Sequence, residues 1–218
     1  MKVYTGPLSL FSAKVRVALD EKGLAYEHVS VGWSLARRYE PHHPDVVALN
    51  PKAQVPVLVD GDLVVYDSTQ IFEYLEDRHP KPPLYPSDAA GRARCRRLEA
   101  FADEILFPPL WELIDAGFYP GAAAADAARL GAARARLAGL QRELDRELAG
   151  RAFLCGAFSV ADIGCWLMTA SAAALGAPPD PGLASLAGWT ARAGARPSLR
   201  RELDGMRAFA AGLRPAAA

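Results

Sequence analysis

A chain of 218 residues with zero formal net charge, 51% apolar and 23% charged residues is long enough for a sizeable core or two modest ones, and its composition excludes disorder. Zero net charge gives no global pull toward nucleic acid or anionic membrane, and no apolar run approaches a membrane span or a signal peptide. A cytoplasmic protein with neither of those partners is expected.

In chain order, Lys2-Val3-Tyr4 reads as a short strand ended by Gly6-Pro7. A helix starting near Ser9 to Ser12 follows, with Val15, Ala18 and Leu19 on one stripe and Gly23 at its stop. Tyr26 to Val31 is a second strand, parallel to the first if the helix crosses between them. Ser34 to Leu49, interrupted by Pro41, His42, His43 and Pro44, reads as a short irregular helix. The two histidines lack further ligands at metal-binding spacing, so no metal is expected.

Next comes NPKAQVPVLVDGDLVVYDSTQIFEYLEDR, residues 50–78. Pro56 opens an apolar run, a tolerated place for a residue without an N–H; Gly61 supplies a turn, and Leu63 to Tyr66 returns as the partner strand. Asp67-Ser68 then precedes Ile71, Tyr74 and Leu75 at helical spacing, so one of the two polar residues is expected to cap a helix with outward-pointing N–H groups. Such an N-terminus binds a carboxylate.

His79 to Asp88 is rich in proline and cannot continue a helix, which marks a boundary. Beyond it Ala, Leu, Arg and Glu dominate, and stripes such as Leu98, Phe101, Ala102, Ile105 and Leu130, Leu137, Leu140, Leu144, Leu148 predict helices. Pro108-Pro109 should kink the first of these. Ser159-Val160-Ala161-Asp162 reads as a capping box with Asp in place of Glu, the tail from Leu213 as loose. Cys95, Cys155 and Cys165 are too few and too scattered for a disulfide framework and fit no zinc site, so they are expected reduced and mostly buried.

Strand, Val-Pro, hairpin, acid-Ser and helix, ending in EYLEDRHP, resembles the glutathione-binding half of the glutathione transferase superfamily, and the likeness runs the full chain, toward its serine-type, theta, zeta and beta-like bacterial members. The resemblance implies an α/β thioredoxin-like domain over residues 1–80, a linker over 81–88 and an all-α domain over 89–218. It implies glutathione as co-substrate, a homodimer, and a transferase of alkyl or aryl groups of the kind used in detoxification. Val55, before a cis Pro56, would offer its backbone to the cysteinyl part of glutathione, and Asp67 and Ser68 would hold the γ-glutamyl end. Gln54 matches a position used for the glycine end.

The nucleophile of such a reaction belongs to glutathione, so the protein needs a donor and a positive field where the thiolate forms. By resemblance Ser9 falls at the catalytic serine, and Ser12, three residues on, is a second candidate or a simple cap. Tyr4 is a third, better explained as a strand residue packed on the core. Ser9-x-x-Ser12 replaces the Cys-x-x-Cys of thiol–disulfide oxidoreductases, and serine forms no mixed disulfide. A hydrophobic electrophile is expected between Leu8, Leu10 and Phe11 on one side and Phe107, Leu110, Trp111, Phe118 and Tyr119 on the other. The zeta pattern Ser-Ser-Cys-x-Trp-Arg is absent, with Ser9-Leu10-Phe11-Ser12-Ala13-Lys14 in its place, which argues against isomerisation. The competing class is an adaptor or ligand-carrying protein that kept the fold without the chemistry.

Overall fold

The computed structural model describes residues 1–40, 42–118 and 126–213. Pro41, Tyr119 and residues 214–218 of the expected tail lie outside them. The chain divides into two compact units, Met1–Pro83 together with the segment from Arg200 on, and Leu84–Leu199.

The first unit holds four strands, β1 (Lys2–Thr5), β2 (Glu27–Ser30), β3 (Val57–Asp60) and β4 (Leu63–Tyr66), in the order β2-β1-β3-β4. β1 and β2 are parallel, as a crossover helix requires, while β3 runs antiparallel to both β1 and β4. That crossover is α1 (Leu10–Glu21). It stops in a Schellman arrangement: Gly23 takes φ +65°, its N–H bonds to Asp20 O, and Leu24 N–H reaches back to Leu19 O. α2 (Pro44–Leu49) begins at the proline, where a missing N–H costs nothing, and His43 Nδ1 accepts from Asp45 N–H at 3.3 Å. α3 (Ser68–Arg78) follows β4.

Alternation along the strands builds two apolar layers. Tyr4 and Val57 pack with Val31 and Val46 of α2, while Val3, Leu58, Val15, Leu19, Ile71 and Leu75 are fully buried. Lys22 locks the end of this unit. Its ammonium donates to Glu76 Oε2 (2.7 Å), His79 O (2.7 Å) and Pro82 O (3.0 Å), and its side chain is 1% exposed. Lys22→Met should remove these three hydrogen bonds and the positive charge facing the buried Glu76 carboxylate, and cost about 3 kcal/mol in denaturant unfolding.

The second unit contains α4 (Ala89–Ala100), a π-helical stretch Phe101–Leu106, α5 (Phe107–Phe118), α6 (Ala127–Leu148), α7 (Val160–Ala174) and α8 (Ala184–Gly194). The expected proline kink takes the form of the π-helical stretch. Pro108 and Pro109 cannot donate to the carbonyls one α-turn back, and Phe107 N–H bonds to Ala102 O with the wider spacing. α7 is central, with Val160 through Thr169 all buried.

At its start, Asp162 accepts from Ser159 N–H (3.0 Å), Ser159 Oγ–H (2.8 Å), Leu154 N–H (2.9 Å) and Trp189 Nε1–H (2.8 Å). The expected capping box is present, and the same carboxylate also ties two other segments to α7.

Glu147 of α6 accepts from Arg94 and Arg97 of α4. Burial would raise its pKa, but the hydrogen bonds from Arg97 and Arg94 outweigh that and hold it below the usual carboxylate range. A depressed folded value contributes stability that is fully present above the unfolded pKa and is lost as pH falls through the folded one. Glu147→Gln should therefore cost roughly 1 kcal/mol at neutral pH, and the difference should vanish in acid. Chemical unfolding of both proteins across pH 7 to 3 checks this.

Two boundaries differ from expectation. Leu84 and Tyr85, expected in a linker, are buried, and Leu84 O accepts from Val160 N–H, so the proline-rich stretch is partly core. The C-terminal helix α9 (Pro197–Gly212), expected in the helical domain, belongs from Arg200 on to the first unit. The reason is specific: Glu202 takes two bonds from the Arg16 guanidinium (2.8 and 2.7 Å), Arg201 pairs with Asp20, and Phe209 meets Trp33 edge-on. No helix of the described residues is long and apolar enough to cross a membrane.

Candidate functional site

Sheet register gathers the predicted glutathione residues at one end of the first unit. Tyr4 pairs with Val57, and Val57 with Tyr66, so these three form one row across β1, β3 and β4. The chain leaves that row toward Ser9 after β1, enters it from Val55-Pro56 before β3, and leaves it toward Asp67-Ser68 after β4. Because β1 and β4 both run antiparallel to β3, α1 and α3 both start at this end, and their N-terminal N–H groups and positive dipole ends accompany them.

Ser9 is the N-cap of α1. Its Oγ accepts from Ser12 N–H at 3.1 Å, which fixes the hydroxyl at the helix start and leaves its O–H to donate. Ser12 sits differently. It lies inside the first turn, is fully buried, and its Oγ accepts from Gly6 N–H at 3.2 Å, bracing the loop that leads to Ser9. Tyr4 is 4% exposed and donates to Asp45 Oδ2 at 2.8 Å; that hydrogen bond, then burial, pushes its phenol up from the ordinary value.

The Val55–Pro56 bond is cis, as the resemblance implies, and Lys81–Pro82 is cis as well. Asn50 braces the approach, donating from Nδ2 to Gln54 O at 2.8 Å while its Oδ1 accepts from Lys52 N–H. The Gln54 side chain is exposed, Val55 half-buried and Pro56 buried. Asp67 occupies the N-cap position of α3 without bonding forward through its side chain. Its φ of +67° with ψ of 127° is a conformation L residues rarely adopt, costing of order 1–3 kcal/mol and concentrated at ligand sites. Lys52 Nζ holds the Asp67 carboxylate by two bonds, 2.9 and 2.7 Å. Ser68 is buried at the first position of the helix.

The hydrophobic candidates divide. In the first unit Leu10 is buried, and the half-buried Phe11 ring lies 5.7 Å from the ammonium of Lys14, itself fully buried. In the second unit Leu110 is fully buried, whereas Trp111 is 38% exposed and its ring lies 5.9 Å from that of half-buried Phe107. Sequence reasoning missed the Lys52–Asp67 contact and the burial of Lys14. No sequence signal links residues 52 and 67; for Lys14, its place in the stripe Leu10, Lys14, Val17 was a usable one.

Residues 3–83 match the family described as Glutathione S-transferase, N-terminal domain. A glutathione S-transferase structure from Rhodospirillum rubrum F11 is 32% identical, with 93% of this chain and 91% of that one covered at a TM-score of 0.79. The chain belongs to the glutathione S-transferase superfamily. Among curated proteins it resembles the Stringent starvation protein A homolog of Coxiella burnetii, 43% identical over 100 residues, covering 45% of this chain and 44% of that protein. It also resembles Glutathione S-transferase Z2 of Arabidopsis thaliana, 42% identical over 93 residues, covering 43% of this chain and 40% of that protein. The match thus spans under half the length of these two curated relatives.

Proposed function

We propose that this protein is a glutathione transferase that activates the glutathione thiol for attack on a small hydrophobic electrophile. The observation that carries the reading is the convergence of the Ser9 hydroxyl, the Val55–Pro56 turn and the Asp67-Ser68 helix start at one end of a single sheet. In this reading the Val55 backbone pairs with the cysteinyl unit. Asp67 takes the γ-glutamyl ammonium, and Ser68 with the first N–H groups of α3 takes its carboxylate. Gln54 reaches toward the glycine end.

Ser9 then stabilises the thiolate by donating its O–H, and the start of α1 adds a positive field. A thiol with an ordinary pKa of about 8.5 is mostly protonated at neutral pH, and lowering it by ~2 units takes ~2.7 kcal/mol of preferential anion stabilisation. A charge-assisted hydrogen bond and a helix dipole together reach that order. The proton leaves to solvent, and the thiolate sulfur forms the new bond to the aryl or alkyl carbon while that carbon's bond to its leaving group, such as a halide, breaks and the group departs as an anion. Ser12 braces the loop. Phe11 is the apolar contact proposed for the electrophile in the first unit, with Leu10 supporting it from the core.

Leu10-Phe11 in place of the zeta Ser-Cys favours aryl or alkyl transfer over isomerisation. A cytoplasmic homodimer is part of the same proposal.

Calorimetric titration with glutathione tests the reading. Wild type should bind, and Asp67→Ala should bind about 10-fold to 100-fold more weakly, the cost of one charged hydrogen bond. Equal affinity in the two proteins would remove Asp67 from the site. A second reading, a non-catalytic adaptor or ligand carrier, is favoured by the 43% identity to a protein named for stringent starvation rather than for glutathione chemistry. It predicts no turnover with any electrophile.

A further inference from the structure

The ion pair between Lys52 and Asp67 is fixed by the backbone on both sides. Lys52 lies in a tight turn: its N–H donates to Asn50 Oδ1 at 3.0 Å, Ala53 N–H bonds to Asn50 O at 2.8 Å, and Ala53 takes φ +51°. Asp67 takes φ +67° at the start of α3. Among the described residues three other than glycine have positive φ, and two of them are Asp67 itself and the neighbour of Lys52. Such conformations are uncommon for residues with a Cβ and concentrate at ligand sites. An exposed lysine–carboxylate pair adds little to stability, so stability does not account for them.

The pair also has capacity for a ligand. Its side chains are 53% and 43% exposed. The Lys52 ammonium spends two of its three donors on Asp67 Oδ1 (2.9 Å) and Oδ2 (2.7 Å), which leaves the third, and each Asp67 oxygen keeps a lone pair beyond the one Lys52 uses. Asp67 alone suits only half of an amino-acid head group, because it attracts the ammonium and repels the carboxylate on the same carbon. Lys52 supplies the missing sign.

We propose that Lys52 is a specificity-determining residue for the γ-glutamyl end of glutathione, its ammonium holding the α-carboxylate while Asp67 holds the α-ammonium. The inference rests on the transferase reading, which puts that end at Asp67-Ser68. Lys52 keeps its bonds to Asp67 and uses its third donor, so the four charges alternate in sign around the contact. Ser68 and the first N–H groups of α3 give the same carboxylate neutral donors, and Lys52 gives it a full charge.

Calorimetric titration of wild type, Lys52→Met and Lys52→Arg with three ligands tests this. The ligands are glutathione, γ-aminobutyryl-cysteinylglycine, which lacks the γ-glutamyl α-carboxylate, and glutathione with its glycine carboxylate converted to an amide. Lys52→Met should weaken glutathione and the amide about 10-fold each, and bind the γ-aminobutyryl analogue at least as tightly as wild type does. Lys52→Arg should keep glutathione within about 3-fold of wild type. Position 52 is exposed and its ion pair adds little to stability, so both variants fold. Equal loss with all three ligands would mean that Lys52 only steadies Asp67. Loss confined to ligands carrying the glycine carboxylate would put its charge at the other end, and no loss would remove it from the site. Each of these overturns the proposal while glutathione still binds wild type, so the transferase reading stands; wild type that binds no glutathione overturns both.

Discussion

Ser9→Ala should lower kcat/KM with glutathione and a reactive aryl halide by about 100-fold while leaving glutathione affinity within about 3-fold of wild type. The expectation follows from where the hydroxyl sits. Its lone pair is committed to Ser12 N–H, so alanine removes both the helix cap and the donor to the thiolate. Cap loss typically costs about 0.5–2 kcal/mol of stability, which a globular domain of this size tolerates. Donor loss acts on the anion alone, and removal of one such preorganised donor typically costs about 10²-fold to 10³-fold in rate. The split between rate and affinity is the informative part. A fall in both together would mean that α1 had shifted, and unchanged turnover in a competent enzyme would move thiol activation elsewhere.

Asp162→Ala should be the most damaging single substitution for stability, lowering it by about 4 kcal/mol or more and the melting temperature by ~10 °C, or preventing folding outright. Four donors converge on this fully buried carboxylate, two from Ser159 and one each from Leu154 and Trp189. Alanine leaves the Trp189 indole and the Leu154 amide without a partner in the interior, each a cost of about 1–3 kcal/mol. Burial raises the carboxyl pKa and the four hydrogen bonds oppose that shift. Ser159→Ala removes one donor and the forward cap, so it should cost only about 1 kcal/mol. Thermal unfolding of the two variants beside wild type ranks them. A milder effect for Asp162→Ala than for Ser159→Ala would contradict the hub.

Much of the first unit was legible because local chemistry dictates it. Pro56, Gly61 and Gly23 each fixed a boundary that the backbone respects, and period-two alternation set the strands. The capping box was readable for the same reason, since both partners lie within four residues. What the sequence hid were contacts between distant positions. Lys22 with Glu76, Lys52 with Asp67 and Arg16 with Glu202 are separated by 15 to 186 residues, and nothing local announces them. Arg16 with Glu202 had the largest effect on the domain reading, since it draws the segment from Arg200 to the first unit. At the site, the roles of Ser9 and Ser12 diverge for a reason spacing alone could not give: one lies before the first helical turn and the other inside it.

The most direct test of thiol activation is the pKa of protein-bound glutathione, followed by thiolate absorbance against pH at saturating glutathione, with Ser9→Ala in parallel. The account predicts a thiol ionising about 2 units below free glutathione in wild type and close to the free value in Ser9→Ala. Bound glutathione that titrates like the free tripeptide in both proteins would contradict it.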